Sequence, residues 1–156
     1  DFVVNLLRHL NGNTLCLFQL VEKHGKILND RMKEEENVYF VYGGTDTSER
    51  EKIRGLVETH SKSTTIASFG VFSTGVNIRN INNIVLASPS KSKIRVLQSI
   101  GRGLRTSSSK DSVLVYDISD DISYNDRRNF TLNHFTERLN INNEEQFDYD
   151  ISRVKL

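Results

Sequence analysis

A chain of 156 residues is long enough for one domain with a real core. Charged residues at 26%, hydrophobic residues at 37% and a formal charge of +1 exclude a disordered charged tail and a broadly basic nucleic-acid glue. No apolar run approaches the ~18 residues that a membrane span requires.

Phe2 to Leu10 reads as a short amphipathic helix with Phe2, Val3, Leu6, Leu7 and Leu10 on one side. Asp1 to Asn5 show neither an initiator Met nor a signal-peptide layout, so the chain is expected to be a piece of a longer one. Asn11-Gly12-Asn13 breaks the helix, and Thr14 to Phe18 is a continuous apolar run, as in a strand buried on both faces. That run contains Cys16, the sole cysteine, which reads as a buried free thiol in a soluble protein of a reducing cytoplasm. The four histidines have no ligand-like spacing, and no structural metal is expected. Leu20 to Glu35 returns to helical spacing at Leu20, His24, Ile27, Leu28 and Met32, with Lys33 to Glu36 as a solvated helix end.

Val38 to Tyr42 is a second strand, closed by a sharp turn at Gly43-Gly44-Thr45-Asp46. Ser48 and Glu51 fit a capping box opening a helix to about His60, with Ile53, Leu56 and Val57 inward. Thr64 to Ser68 and Ile84 to Ala87 are the next strands, and Lys91 to about Leu104 is helical. Val113 to Ile118 is a fifth strand and Asn125 to Leu139 a further helix; Phe147 to Leu156 alternates weakly, as an edge strand or a lead into another domain. Strands alternating with helices predict an α/β fold: an open, mostly parallel sheet flanked by helices, a single domain with its core at about 11–139. Such sheets bind ligands at the carboxyl ends of their strands.

Two segments stand out at those ends. On the helix from Lys91, a step of ~100° per residue places Lys91, Arg95, Gln98, Arg102 and Arg105 within an arc of roughly 80°. Ile94, Val96, Leu97, Ile100 and Leu104 occupy much of the other side. A basic stripe of this kind is ordinarily a solvated face. Here Gly101 and Gly103 flank Arg102 although each weakens a helix by roughly 1 kcal/mol relative to alanine. No acidic residue lies between Ser88 and Lys110 to neutralise the cations. An unneutralised arginine pair suits phosphate, whose oxygens the guanidinium fork binds in bidentate fashion. The other segment, Ser68 to Ile78, carries Ser73-Thr74-Gly75 and Asn77; alone, such a loop is more often a plain turn than a phosphate cradle.

Taken in order, Gly43-Gly44-Thr45, then S-T-G-V-N-I from Ser73, then Q-x-x-G-R-x-x-R at Gln98, Gly101, Arg102 and Arg105, the chain resembles the second RecA-like domain of superfamily 2 helicases. The last run matches motif VI, Ser73 to Ile78 look like motif V, and Thr14 to Gln19 with Val38 to Thr45 are similar to motif IV and the glycine turn beyond it. The resemblance spans roughly Thr14 to Ile118, and in detail it is similar to phage recombination and repair helicases. Many relatives place a Thr early in motif V where this chain has Ser68 and Phe69, and no contact is carried over to that position.

The resemblance implies a P-loop NTPase-type domain that completes an ATP site and grips nucleic acid. Arg105 would be the arginine finger, Arg102 its partner on the phosphate chain, and Gln98 the residue orienting the γ-phosphate or the attacking water. Gly75 and Asn77 would lie between nucleotide and nucleic acid. Thr74, Ser73 and the Gly44-Thr45 turn would hold backbone phosphates. ATP and Mg2+ would be held mainly by an amino-terminal RecA-like domain, since the sequence has no GxxxxGK[ST] and no DExH-like run. This chain alone is expected to be inactive. The implied partners are branched DNA and RNA–DNA hybrids, met through the backbone, in recombination, replication and repair. Two other readings use the same residues: the translocase domain of a restriction-type motor, and a non-enzymatic RecA-like adaptor that binds nucleic acid. The adaptor has no need of a finger.

Overall fold

The computed structural model describes residues 2–73, 80–88, 112–120, 130–144 and 146–155. Five strands form one sheet: β1 (Asn13–Phe18), β2 (Val38–Val41), β3 (Ser63–Ser68), β4 (Asn83–Leu86) and β5 (Leu114–Asp117). Their order is β2-β3-β1-β4-β5, and every pairing is parallel. The helices are α1 (Phe2–His9), α2 (Lys26–Met32), α3 (Thr47–Thr59), α4 (Phe69–Ser73) and α5 (Phe130–Glu144).

The apolar run at β1 takes the centre because it is apolar on both faces. Leu15 and Leu17 point into a layer with Ile53 and Val57 of α3, while Cys16 and Phe18 point into the opposite layer with Val4 and Leu7 of α1 and Met32 of α2. All residues of β1 are buried, as are those of β3 and β4, the signature of a parallel sheet covered on both sides. Gly12 turns the chain from α1 into β1 at φ +80, and a Cβ there would also strike Asn82.

The amino ends of the strands are tied by side-chain amides. Asn13 Nδ2 donates to the carbonyls of Val57 and His60, both at 3.0 Å, and its Oδ1 accepts from Ser63 Oγ at 2.8 Å. Asn83 Nδ2 donates to the Asn11 carbonyl at 2.7 Å and to Thr14 Oγ1 at 3.2 Å. With its amide hydrogens and oxygen engaged, the buried Asn13 fixes the start of β1 against the end of α3.

Several expectations need correction. The helix expected from Leu20 opens as a π turn, Val21–Gly25, before α2 begins. The wider turn shifts the helical phase, so Leu20 and Ile27 are exposed at 46% and 47% and Gly25 is buried, while Met32 is buried as expected. Gly25 passes so close to Phe18 that a Cβ would lie 2.4 Å from the ring. Gly25→Ala should therefore destabilise the fold by about 1–3 kcal/mol, measured as a shift of the urea midpoint; a midpoint equal to the parent's would refute the close approach.

α3 begins at Thr47 after Asp46, whose carbonyl accepts from Arg50 N at 3.0 Å, and no side chain caps it. Ser48 already lies inside the first turn, and Glu51 pairs with Arg54 at 2.8 Å instead of reaching back as a capping box. Leu56, expected inward, is 37% exposed beside the buried Ile53 and Val57. α5 runs past the expected end at Leu139 to Glu144. A Schellman arrangement stops it: Gln146 has φ 58, Phe147 N donates to Asn142 O and Gln146 N to Asn143 O. Residues 147–155 pair with no strand. The start expected at Asn125 and the helix expected at 91–104 lie outside the described residues.

Cys16 is fully buried, and desolvation pushes its thiol from 9.0 up to about 12. The folded state holds this proton more tightly than the unfolded chain. Its stabilising effect is thus complete below pH 9.0 and is lost as pH rises towards about 12. Urea unfolding at about pH 10 should show up to roughly 1.4 kcal/mol less stability per pH unit above the thiol's ordinary value than at about pH 8, a difference absent from Cys16→Ala.

Candidate functional site

The strands that precede the segments singled out in the sequence end at the same edge of the sheet. Phe18 at the end of β1 stands in register with Ser68 at the end of β3, and Leu17 with Leu86 at the end of β4. β3 leads into α4, which ends at Ser73, the first residue of the Ser73–Ile78 segment. β4 leads through Ala87 and Ser88 towards Gln98 to Arg105. β3 and β4 therefore end on either side of β1, roughly 10 Å apart at the usual strand spacing. The chain crosses over β1 in passing from β3 to β4, which makes this the switch point where open α/β sheets bind ligands. Thr74, Gly75, Asn77, Gln98, Arg102 and Arg105 lie outside the described residues.

The glycine turn after β2 is fully described. Thr45 N donates to Tyr42 O at 3.0 Å, and Tyr42 N donates to Thr45 Oγ1 at 3.1 Å. Thr45 is thereby buried, and the exposed part of the turn is Gly43, Gly44 and Asp46. A Cβ on Gly44 would come within 2.6 Å of the Tyr42 ring. Arg50 of α3 braces the turn, its Nη2 lying 3.0 Å from Gly43 O and 3.4 Å from Tyr42 O. The turn stands next to the end of β3, since Val41 pairs in register with Ala67.

Three features of this edge escaped the sequence reading. Arg50, which reaches back from α3 to the carbonyls of Tyr42 and Gly43, carries no sequence signal that sets it apart from Lys52 and Arg54. Ser88 is buried at 1% exposure and joins β4 to the π turn, with Oγ at 2.9 Å from His24 Nδ1. The third is Arg138 of α5, which is buried and binds Asp117 at the end of β5 and the Ser119 hydroxyl. Its guanidinium lies 5.7 Å from the centre of the Phe135 ring. No local pattern announces the last two, because the partners are far apart in sequence.

Among the described residues, no group of His, Cys, Asp and Glu could hold a metal ion, and no helix is long and apolar enough to cross a membrane.

A five-stranded, all-parallel sheet in this order, with helices on both faces, is the architecture of a RecA-like helicase carboxyl-terminal domain. Residues 1–107 match the helicase conserved C-terminal domain, and the chain belongs to that family. It is 37% identical over 161 residues to the ATP-dependent DNA helicase uvsW of Enterobacteria phage T4, a match covering 96% of this chain and 32% of the phage protein. It is 31% identical over 102 residues to the putative ATP-dependent helicase IRC3 of Saccharomyces cerevisiae, covering 65% of this chain and 15% of that protein. The crystal structure of T4 UvsW superposes with a TM-score of 0.76 at 36% identity, over 92% of this chain and 32% of that one. Domain 2 of the Mss116p DEAD-box helicase, solved bound to an RNA duplex, shares the fold at a TM-score of 0.56 and 16% identity, over 76% of this chain and 50% of that one. The chain thus spans about a third or less of the length of the curated relatives it matches.

Proposed function

We propose that the chain is the second motor domain of an ATP-dependent helicase that unwinds branched DNA and RNA–DNA hybrids during recombination, replication and repair. The observation that carries this reading is Q-x-x-G-R-x-x-R at Gln98 to Arg105, in the segment that leaves β4 at the switch point of a helicase-family sheet. Two guanidinium forks and an amide form a donor set for a phosphate chain. Arg105 is the finger on the γ-phosphate, Arg102 shares the phosphate chain, and Gln98 orients the γ-phosphate or the attacking water. An amino-terminal RecA-like domain holds most of the ATP and its Mg2+, so this chain alone does not turn ATP over.

Nucleic acid runs over the other departures of the same edge. Thr74 and Ser73 hold one backbone phosphate and the Gly44-Thr45 turn, braced by Arg50, another. Gly75 and Asn77 lie between the two ligands and couple them. ATP closes the cleft between the domains and hydrolysis reopens it, so the two grips alternate and the strand advances. Phosphate contacts carry little sequence information, so binding follows structure and weakens steeply with salt.

Thr74→Ala in the full-length protein should weaken nucleic-acid binding about 10-fold, or uncouple hydrolysis from unwinding, and should reduce the salt slope by about one phosphate contact. Fluorescence anisotropy across a salt series and a strand-displacement assay measure both. If affinity, salt slope and coupling all stay at parent values, the Ser73–Ile78 segment does not touch nucleic acid.

A further inference from the structure

A finger and its partners must be held in place, and the described residues show how the chain is fastened where it leaves β4, ahead of Gln98. β4 leaves the sheet at Leu86, Ala87 N donates to Leu17 O at 3.0 Å, and the next side chain, Ser88, turns into the protein at 1% exposure. Its Oγ accepts from Gln19 N at 3.4 Å and lies 2.9 Å from His24 Nδ1. Three pieces of chain that are distant in sequence meet at one hydroxyl: the end of β1, the end of β4 and the π turn. Gln98 follows ten residues later.

The π turn is what brings His24 there. His24 N and Gly25 N both donate to Leu20 O, at 2.9 and 3.1 Å, so the backbone makes a wide turn. In it Gly25 clears the Phe18 ring while the His24 imidazole reaches back to β4. Single π turns inside helices are rare and cluster at functional sites. Packing alone does not call for a buried serine paired with a half-buried imidazole, since burying polar groups is unfavourable unless they pair. The donor pattern is consistent: with Gln19 N–H on its oxygen, Ser88 has its own hydrogen free for Nδ1, leaving the imidazole proton on Nε2.

We infer that His24 is a positioning residue for ATP hydrolysis: through Ser88 it fixes the point from which the Gln98–Arg105 segment departs beside β1. This rests on the proposed role of Arg105. The geometry of a finger is demanding, because a misplacement of about 1 Å can lower the rate on the order of 10²-fold.

The test uses the full-length protein with saturating nucleic acid. His24→Phe keeps a ring and loses the acceptor, and Ser88→Ala loses the hydroxyl with little change in volume. Each should lower kcat by about 10-fold to 10²-fold while KM for ATP moves by less than about twofold. The double variant should be no worse than either single one. His24→Asn, whose Oδ1 can accept near the place of Nδ1, should restore kcat to within about threefold of the parent. Thermal unfolding is measured alongside, and Ser88→Ala serves if His24→Phe folds poorly. Parent-like kcat with only a lower melting temperature, or His24→Asn as impaired as His24→Phe, would make the pair a packing element and overturn the inference. Arg105→Ala is assayed separately. Unchanged turnover there removes the finger itself, whereas loss there with parent-like His24 and Ser88 variants defeats this inference alone.

Discussion

Arg105→Ala in the full-length protein should lower nucleic-acid-stimulated ATP hydrolysis by on the order of 10³–10⁵ and leave ATP binding largely intact. The two halves of the result have different origins. Ground-state binding is dominated by the domain that cradles the nucleotide, so equilibrium binding of a fluorescent ATP analogue should change little. The finger acts on charge that spreads over the transferring phosphoryl group, so its removal appears in kcat. Arg105→Lys should recover only part of the rate, because an ammonium is a point charge and cannot offer the planar bidentate fork. Turnover at the parent level in Arg105→Ala would remove Arg105 from the site and, with it, the reason for preferring a motor to a nucleic-acid-binding adaptor.

Asp117→Ala should be the most destabilising simple substitution in the described part of the chain, at about 3–5 kcal/mol. Arg138 is 1% exposed, and Asp117 is the anion that its guanidinium binds directly. Removing the carboxylate leaves a buried cation that cannot shed its charge. By contrast, Arg8 and Glu35, 2.9 Å apart with side chains 42% and 40% exposed, are screened by water and contribute at most ~1 kcal/mol. Urea unfolding separates the two cases. Replacing both partners, the buried Arg138 and the partly buried Asp117, with Arg138→Met and Asp117→Leu together, should recover much of the loss, since the penalty lies in the unpaired charge. A single Asp117→Ala variant as stable as the parent would show that Arg138 is satisfied by other groups.

These two substitutions also mark the limit of what the sequence disclosed. β1 was legible because Leu15 to Phe18 is apolar without interruption, and only a strand covered on both faces needs that. Gly12 was legible because the turn out of α1 demands a positive φ. The Gln98–Arg105 group stood out for a similar reason: its chemistry is compressed into a single turn-periodic stretch.

What depends on tertiary contact left no local trace. Asp117 and Arg138 are 21 residues apart, and His24 and Ser88 are 64 apart. Nothing in the sequence of the Phe130–Glu144 stretch marks Arg138 as the arginine that is buried against the end of β5. The π turn defeated the periodicity argument directly. A strict 3.6-residue repeat from Leu20 points Ile27 inward, and one widened turn exposes it and puts Gly25 inside, while Met32 is buried as the repeat required. Ser48 and Glu51 had the composition of a cap at the wrong place, because the extended backbone at Asp46 already starts the helix.

The place of β1 at the centre of the sheet has a consequence for how the chain reaches its structure. Its neighbours are β3, about fifty residues later by the Asn13–Ser63 register, and β4, about seventy later by the Thr14–Asn83 register. No strand pairs with the one that directly follows it until β2 meets β3. β1, buried on both faces and the first of these five strands to be made, cannot be flanked on both sides until Leu86 has been made. Contacts of such long sequence separation slow folding, and an unpaired apolar edge invites association in the meantime. On a translating ribosome, then, chains that end before Asn83 should be the sticky ones, and solubility should rise once β4 is added.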